Sequence, residues 1–72
     1  MFNISIVPNP TNGIFSVQAN DQLKEIKIFS LQGELVHSMH SQNHSEIIDI
    51  CDKPAGVYIL RVDNLSVKLI KE

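Results

Sequence analysis

Three histidines have the spacing that most readily suggests metal binding. His37, His40 and His44 are three and four positions apart, and on a helix this spacing would bring the three imidazoles to one face, where they could bind zinc. On a strand, side chains alternate between faces, so His37 and His40 would point in opposite directions. The strand pattern is the stronger one in this segment. The sequence therefore predicts solvent-facing or edge histidines and no metal site.

A cysteine and two carboxylates are the other candidates for chemistry. Cys51 lies between Asp49 and Asp52, but no sequence signature connects it with a histidine base, and the carboxylates do not belong to a calcium-loop pattern. We expect a buried or half-buried structural thiol and solvated turn carboxylates. The sequence shows no glycine-rich phosphate loop, serine elbow or paired carboxylates, so it predicts neither an enzyme nor a cofactor site.

Size and charge restrict the class of protein and of partner. With 72 residues, the chain is expected to form one domain, residues 1–72, around one small core. Its single cysteine excludes an internal disulfide. Six basic and eight acidic residues are scattered singly, and without a basic stripe nucleic acid is not an expected partner. No Sec-type signal peptide is recognisable, so if the domain is exported, either its signal lies on a larger precursor or the export route is different.

Turn chemistry divides the chain into short segments with strand patterns. The densest turn signal is Pro-Asn-Pro-Thr-Asn-Gly at positions 8–13, where two prolines stiffen the backbone and Asn12-Gly13 allows a reversal. Further turns are predicted at 20–22, 30–33, 41–43, 52–56 and 63–64, with Gly33 at a positive φ. Between them the pattern predicts strands at residues 2–7, 14–19, 23–29, 34–39, 46–50, 57–62 and 65–70.

The alternation of apolar side chains predicts how these strands pack. The sixth strand is apolar on both sides, which favours a central position in a sheet. Tyr58, on that strand, is expected in the core with its hydroxyl bound to nearby backbone, as in a tyrosine corner, although its ring could also stack on a ligand. Seven short strands separated by turns predict an all-β fold: a small immunoglobulin-like antiparallel β-sandwich.

Four blocks of sequence carry a family resemblance. They are PNPTNGIFSV at 8–17, IKIFSLQGELV at 26–36, IDI at 48–50 with PAGVYILRV at 54–62, and KLIKE at 68–72. In this order they resemble the C-terminal sorting domains of cargo proteins of the type IX (Por) secretion system of Bacteroidota. The residues that match the family motifs, with mainly structural roles, are Pro8, Asn9, Pro10, Thr11, Gly13, Phe15, Val17, Gly33, Gly56 and Tyr58.

The resemblance implies a function. Such domains follow a passenger protein in a larger precursor, fold in the periplasm and direct the passenger to the type IX outer-membrane translocon. A sortase-like peptidase usually removes them as the passenger is anchored at the cell surface or released. The resemblance thus implies a non-catalytic sorting signal of an exported protein, with the translocon, the peptidase and the fused passenger as partners.

The residues alone leave a second function open, an accessory β-sandwich for adhesion or carbohydrate binding. Such a module uses an exposed aromatic platform or a calcium loop. With one tyrosine, three phenylalanines and no tryptophan, the chain has little material for a platform.

The last strand is the hypothesised recognition element. It is expected to offer a sheet edge with unpaired backbone groups and a terminal carboxylate, and partners capture both. The residues proposed to be read by the translocon are Lys68, Leu69, Ile70, Lys71 and Glu72. An open edge would also allow a strand-swapped homodimer.

Overall fold

Seven β-strands form the regular structure of the protein. A computed structural model describes residues 1–72. The strands are β1 (Ile4–Val7), β2 (Ile14–Ala19), β3 (Lys24–Ser30), β4 (Leu35–Ser41), β5 (Ser45–Asp49), β6 (Gly56–Val62) and β7 (Leu65–Lys71). All seven predicted strands are confirmed, and β2 has its predicted bounds. The fold contains no helix that could span a bilayer.

The strands form two antiparallel sheets that share one core. One sheet has the order β1-β2-β5 and the other the order β4-β3-β6-β7. β6 lies between β3 and β7, as its two apolar faces predicted. β4 pairs with β3 and belongs to the four-stranded sheet. In a constant-type immunoglobulin domain, by contrast, the fourth strand belongs to the sheet of the first, second and fifth strands. The prediction of a small immunoglobulin-like sandwich is confirmed.

Alternation along the strands builds the core. Phe15 and Val17 of β2 face Ile26 and Ile28 of β3 across the space between the sheets, because strand side chains point to one face at every second position. Burial of each such side chain contributes about 1.5–3 kcal/mol. The core comprises Ile6, Phe15, Val17, Leu23, Ile26, Ile28, Ile48, Ile50, Tyr58, Leu60, Val62 and Leu69.

Tyr58 joins this core to the turn before its strand. Its side chain is 5% exposed, and its hydroxyl donates a hydrogen bond to the carbonyl of Pro54, four residues earlier. This arrangement is the predicted tyrosine corner. The ring is therefore part of the core, and the alternative of a stacking platform for a ligand is wrong.

Glu46 organises the connection between β4 and β5, one of the places where the chain crosses from one sheet to the other. Its Oε2 accepts hydrogen bonds from the Ser41 hydroxyl at 2.6 Å and from Asn43 Nδ2 at 2.7 Å. These donors lower the pKa of Glu46, since they stabilise the charged carboxylate. Ser41 Oγ also accepts from the Asn43 N–H at 3.0 Å. One carboxylate thus fixes the β4–β5 turn.

Candidate recognition site on the last strand

β7 is an edge strand of the four-stranded sheet and pairs along its length with β6. Because side chains alternate, Leu69 points into the core and is fully buried. Lys68 and Glu72 are exposed, and Ile70 and Lys71 are half-buried. Of the five residues hypothesised for recognition, Leu69 thus holds the strand in place. The side chains of the other four are exposed or half-buried at the surface.

The outer edge of β7 is covered by the segment Pro8-Asn9-Pro10-Thr11, which we call the strap. Asn9 Nδ2 donates to the carbonyl of Lys68 at 2.8 Å, and Asn9 Oδ1 accepts from the N–H of Ile70 at 3.0 Å. The Thr11 N–H donates to the carbonyl of Ile70 at 2.9 Å, and the Glu72 N–H donates to the carbonyl of Thr11 at 2.8 Å. The expectation of unpaired backbone groups along the last strand was therefore wrong for these four groups, which belong to Lys68, Ile70 and Glu72.

The composition of the strap explains the role of the Asn9 side chain. Pro8 and Pro10 have no backbone N–H, so the strap cannot form a regular ladder with β7. A carboxamide offers one acceptor oxygen and N–H donors, as a peptide group does. Asn9 therefore supplies with its side chain the donor that the prolines lack, together with an acceptor on the same group. The peptide bonds Val7–Pro8 and Asn9–Pro10 are both cis.

Thr11 anchors the strap to the start of β2. Its side chain is 1% exposed, and its hydroxyl accepts from the Gly13 N–H at 3.0 Å and donates to the carbonyl of Ile14 at 2.7 Å. Sequence reasoning assigned Thr11 to a turn and missed its burial. The only signal was a threonine two residues before a glycine, since a hydroxyl there can bond to the turn backbone.

Gly13 fastens the other side of the strap to the three-stranded sheet. Its carbonyl accepts from the Ile50 N–H at 2.8 Å. Its φ is +136°, and a Cβ at this position would lie 2.5 Å from Cys51 Sγ and 2.9 Å from Cys51 Cα. Only glycine fits both the backbone angle and the space. The strap and Gly13 together therefore connect β7 with the start of β2 and with Ile50, directly after β5.

A second asparagine covers backbone groups at the N-terminal side of the same sandwich. Asn20 Nδ2 donates to the carbonyl of Met1 at 2.7 Å, and Asn20 Oδ1 accepts from the N–H of Asn3 at 2.8 Å. The carbonyl and the N–H that Asn20 binds belong to residues two positions apart, as do the carbonyl of Lys68 and the N–H of Ile70 that Asn9 binds. On two segments of the chain, an asparagine carboxamide thus binds one backbone carbonyl and one backbone N–H.

Cys51 is exposed, so the prediction of a buried or half-buried thiol was wrong. Ile50 is the last side chain of this segment that enters the core, and Cys51 follows it in the turn that leads to β6. The hydrogen bond with Asp49 raises the pKa of the Cys51 thiol. The Cys51 N–H, 2.9 Å from Asp49 Oδ1, is the main cause of the lowered pKa of Asp49. A thiol with a raised pKa is a weak nucleophile.

The histidines are spread over different surroundings. His37 is half-buried opposite Ile28, whereas His40 is exposed with its Nε2 3.5 Å from Glu25 Oε2. His44 is exposed in the turn before β5. His37 and His40 lie on opposite faces of β4, as the strand reading predicted. No three histidine, cysteine or acidic side chains are grouped for metal binding.

The aromatic side chains do not form a common surface. Phe15 and Tyr58 are buried in the core, and Phe2 and Phe29 are half-buried. Phe2 packs against the core cluster, whereas the register of β3 directs Phe29 to the outer face of the four-stranded sheet. The aromatic side chains therefore do not form an exposed platform of the kind that an adhesion or carbohydrate-binding module would use.

The two antiparallel sheets and the strapped last strand define a small immunoglobulin-like module. The family model for the secretion system C-terminal sorting domain matches residues 5–72. This match covers nearly the whole chain, and the chain therefore belongs to that family, whose members are sorting signals of type IX secretion. No curated protein sequence matches the chain.

Membership of this family indicates the general function of the chain, a sorting signal in type IX secretion. The family is one of sorting signals and not a family of enzymes. It implies association with the type IX secretion system and with a fused passenger. It also implies a secreted protein that passes through the periplasm to the cell surface or the exterior.

Proposed function

We propose that residues 1–72 act as one sorting domain that the type IX translocon reads at the C-terminal strand, β7. The observation that carries this proposal is the family match over residues 5–72, which includes β7 and the strap. The domain itself performs no catalysis. It delivers a fused passenger from the periplasm to the outer-membrane translocon.

The surface that is read consists of the side chains that project from residues 68–72. Lys68 and Glu72 are exposed, and Lys71 is half-exposed. Leu69 holds the strand against the core, so these side chains project from a fixed backbone. Charged groups on a fixed strand give a partner both orientation and specificity.

We further propose that a sortase-like peptidase separates the domain from the passenger by a cut upstream of β1. The strands from Ile4 onwards belong to the sandwich, and Asn20 binds the backbone at Met1 and Asn3. A cut before this region leaves the domain folded. The passenger then continues to the surface or the medium without it.

The proposal is tested by export of a reporter fused in front of the domain in type IX-competent cells. The variant carries Lys68→Ser, Lys71→Ser and Glu72→Ser, which leave Leu69 and the backbone bonds of the strap in place. The matched control carries Lys27→Ser, Glu34→Ser and Lys53→Ser, which remove the same two positive charges and one negative charge elsewhere on the surface.

We expect the β7 variant to lower the exported fraction about tenfold, since three surface contacts of roughly 0.5 kcal/mol each sum to about that factor. The control should export like the unchanged domain. Equal export of both variants at equal melting temperature would exclude β7 side chains as the surface that is read.

A further inference from the structure

We propose that residues 8–10 of the strap stand in for a partner strand. The translocon component that reads this domain does so with an extended segment that takes the place of residues 8–10 on β7. This inference rests on the proposed function and specifies how the last strand is read. It names both the surface, the outer edge of β7, and the kind of partner, an extended chain.

The hydrogen bonds of the strap define what the partner must offer. Along β7 they satisfy, in order, the carbonyl of Lys68, the N–H of Ile70, the carbonyl of Ile70 and the N–H of Glu72. These are the outward groups of alternate residues on one strand edge, the set that an added strand pairs with. Thr11 and Lys71 form a parallel bridge, so a strand in the place of the strap would run parallel to β7.

Three of the four strap residues are held weakly enough to be displaced. Pro8, Asn9 and Pro10 are exposed, and both bonds of Asn9 lie at the surface. Only Thr11 is buried. An exposed hydrogen bond competes with water and contributes little net free energy. Residues 8–10 can therefore lift from β7 while Thr11 stays in its site and keeps its bonds with the carbonyl of Ile70 and the N–H of Glu72. The partner then takes over the two groups that Asn9 covered, the carbonyl of Lys68 and the N–H of Ile70.

An incoming strand would also gain bonds that the strap does not make. In the antiparallel ladder with β6, the N–H and carbonyl of Ser66 point outward like those of Lys68 and Ile70. The strap reaches no further along β7 than the carbonyl of Lys68. A partner strand that extends to Ser66 would pair with additional backbone groups. This difference favours exchange of residues 8–10 for the partner.

The side chains beside this edge specify the partner further. Lys68 and Ile70 project from the outer face of the sheet, where Ile70 lies opposite Val57 and Lys68 opposite Ile59. Cross-strand neighbours interact most favourably when their charges are opposite or both are apolar. The partner segment should therefore place an acidic side chain beside Lys68 and an apolar one beside Ile70.

The test uses two asparagine variants that remove the same number of bonds from two different segments. Asn9→Ala releases the strap from β7. Asn20→Ala removes the equivalent pair of bonds at Met1 and Asn3 and leaves β7 covered. Amide hydrogen exchange at Ile70 is measured in both, together with export of the fused reporter in type IX-competent cells.

In Asn9→Ala, the amide hydrogen of Ile70 should exchange about tenfold faster than in the unchanged domain, because its hydrogen bond to Asn9 Oδ1 is lost. Its export should equal or exceed that of the Asn20→Ala control. The β7 variant with three serines should still export poorly in the same assay.

Two results would overturn the inference. In the first, Asn9→Ala exports clearly less than Asn20→Ala at matched stability, which means that the strapped edge itself is recognised. In the second, exchange at Ile70 is unchanged, which means that the strap does not cover this edge in solution. If the β7 serine variant exports normally, the proposed function fails as well. If that variant exports poorly, only the strap inference fails.

Discussion

The side chain of Asn9 binds the backbone of Ile70 across 61 positions of sequence. Its Oδ1 accepts the Ile70 N–H at 3.0 Å while its Nδ2 donates to the carbonyl of Lys68 at 2.8 Å. The first turn of the chain thus closes the edge of the last strand. The strap, residues 8–11, therefore covers the outer edge of β7 near its end.

Replacement of Asn9 by aspartate should destabilise the domain by about 0.5–1 kcal/mol. The carboxylate keeps the acceptor for Ile70 but loses the donor to Lys68, and it places a negative charge against that carbonyl. Urea unfolding measures the change. Asn12→Asp in the same segment is the control, since Asn12 is exposed and its side chain makes no hydrogen bond. Equal stability of the two variants would contradict this role of Asn9.

Gly13→Ala should cost about 2–4 kcal/mol, because it combines backbone strain with a steric clash. The Cβ would lie 2.5 Å from Cys51 Sγ and 2.9 Å from Cys51 Cα at a φ of +136°. Gly33→Ala is the matched control, since Gly33 has a φ of +89° with no atom near the added Cβ, and its cost should be only about 1 kcal/mol. Thermal unfolding that shows the same loss for both would argue against close packing of Gly13 on Cys51.

Tyr58→Phe should lower the free energy of unfolding by about 1–1.5 kcal/mol. The phenyl ring keeps the burial of Tyr58, which is 5% exposed, and removes only the hydroxyl that donates to Pro54. Chemical denaturation at neutral pH measures this loss. An unchanged midpoint would mean that the corner depends on the ring alone.

The stability of the domain should fall at acid pH through Glu46 and Asp49. Hydrogen bonds from Ser41 and Asn43 lower the pKa of Glu46, and the Cys51 backbone lowers that of Asp49. The unfolded chain therefore takes up protons first as the pH falls, with ordinary carboxyl pKa values near 4. The stabilisation is complete above that pH and is lost as the pH falls through the lowered pKa values.

Glu46→Gln isolates this effect, because glutamine cannot titrate. Its unfolding free energy, measured in urea from about pH 7 to pH 3, should fall less steeply below about pH 4 than that of the unchanged domain. Glu34→Gln serves as the control at an exposed glutamate. Parallel curves for all three proteins would show that Glu46 does not contribute to the acid dependence.

The fold could be predicted from the sequence because its strands alternate clearly. Phe15 and Val17, or Ile26 and Ile28, lie two apart between turns, and period two fixes which side chains enter the core. The positive φ of Gly33 and the hydroxyl contact of Tyr58 on β6 could be predicted too. A positive φ favours glycine, and a buried hydroxyl needs a nearby hydrogen-bond partner. The structure confirms both.

The strap could not be predicted, because its bonds join residues that are distant in sequence. The sequence around Asn9 and Thr11 does not indicate that they form hydrogen bonds with the backbone of Lys68, Ile70 and Glu72. An edge strand and a stretch of turn residues look the same from the sequence whether or not they touch. For the same reason, the last strand was expected to have an open edge. Cys51 was misplaced because the apolar pattern does not mark where β5 stops supplying core residues.

The central claim is that these 72 residues are sufficient to send a passenger through type IX secretion. The direct measurement fuses a signal peptide and a fluorescent protein in front of residues 1–72. It compares the fraction of fluorescence at the cell surface and in the medium in type IX-competent cells with that in the same cells without the translocon. We predict export only where the translocon is present, and retention in the periplasm when the domain is omitted. Export that is independent of the translocon, or retention of the complete fusion in competent cells, would contradict the claim.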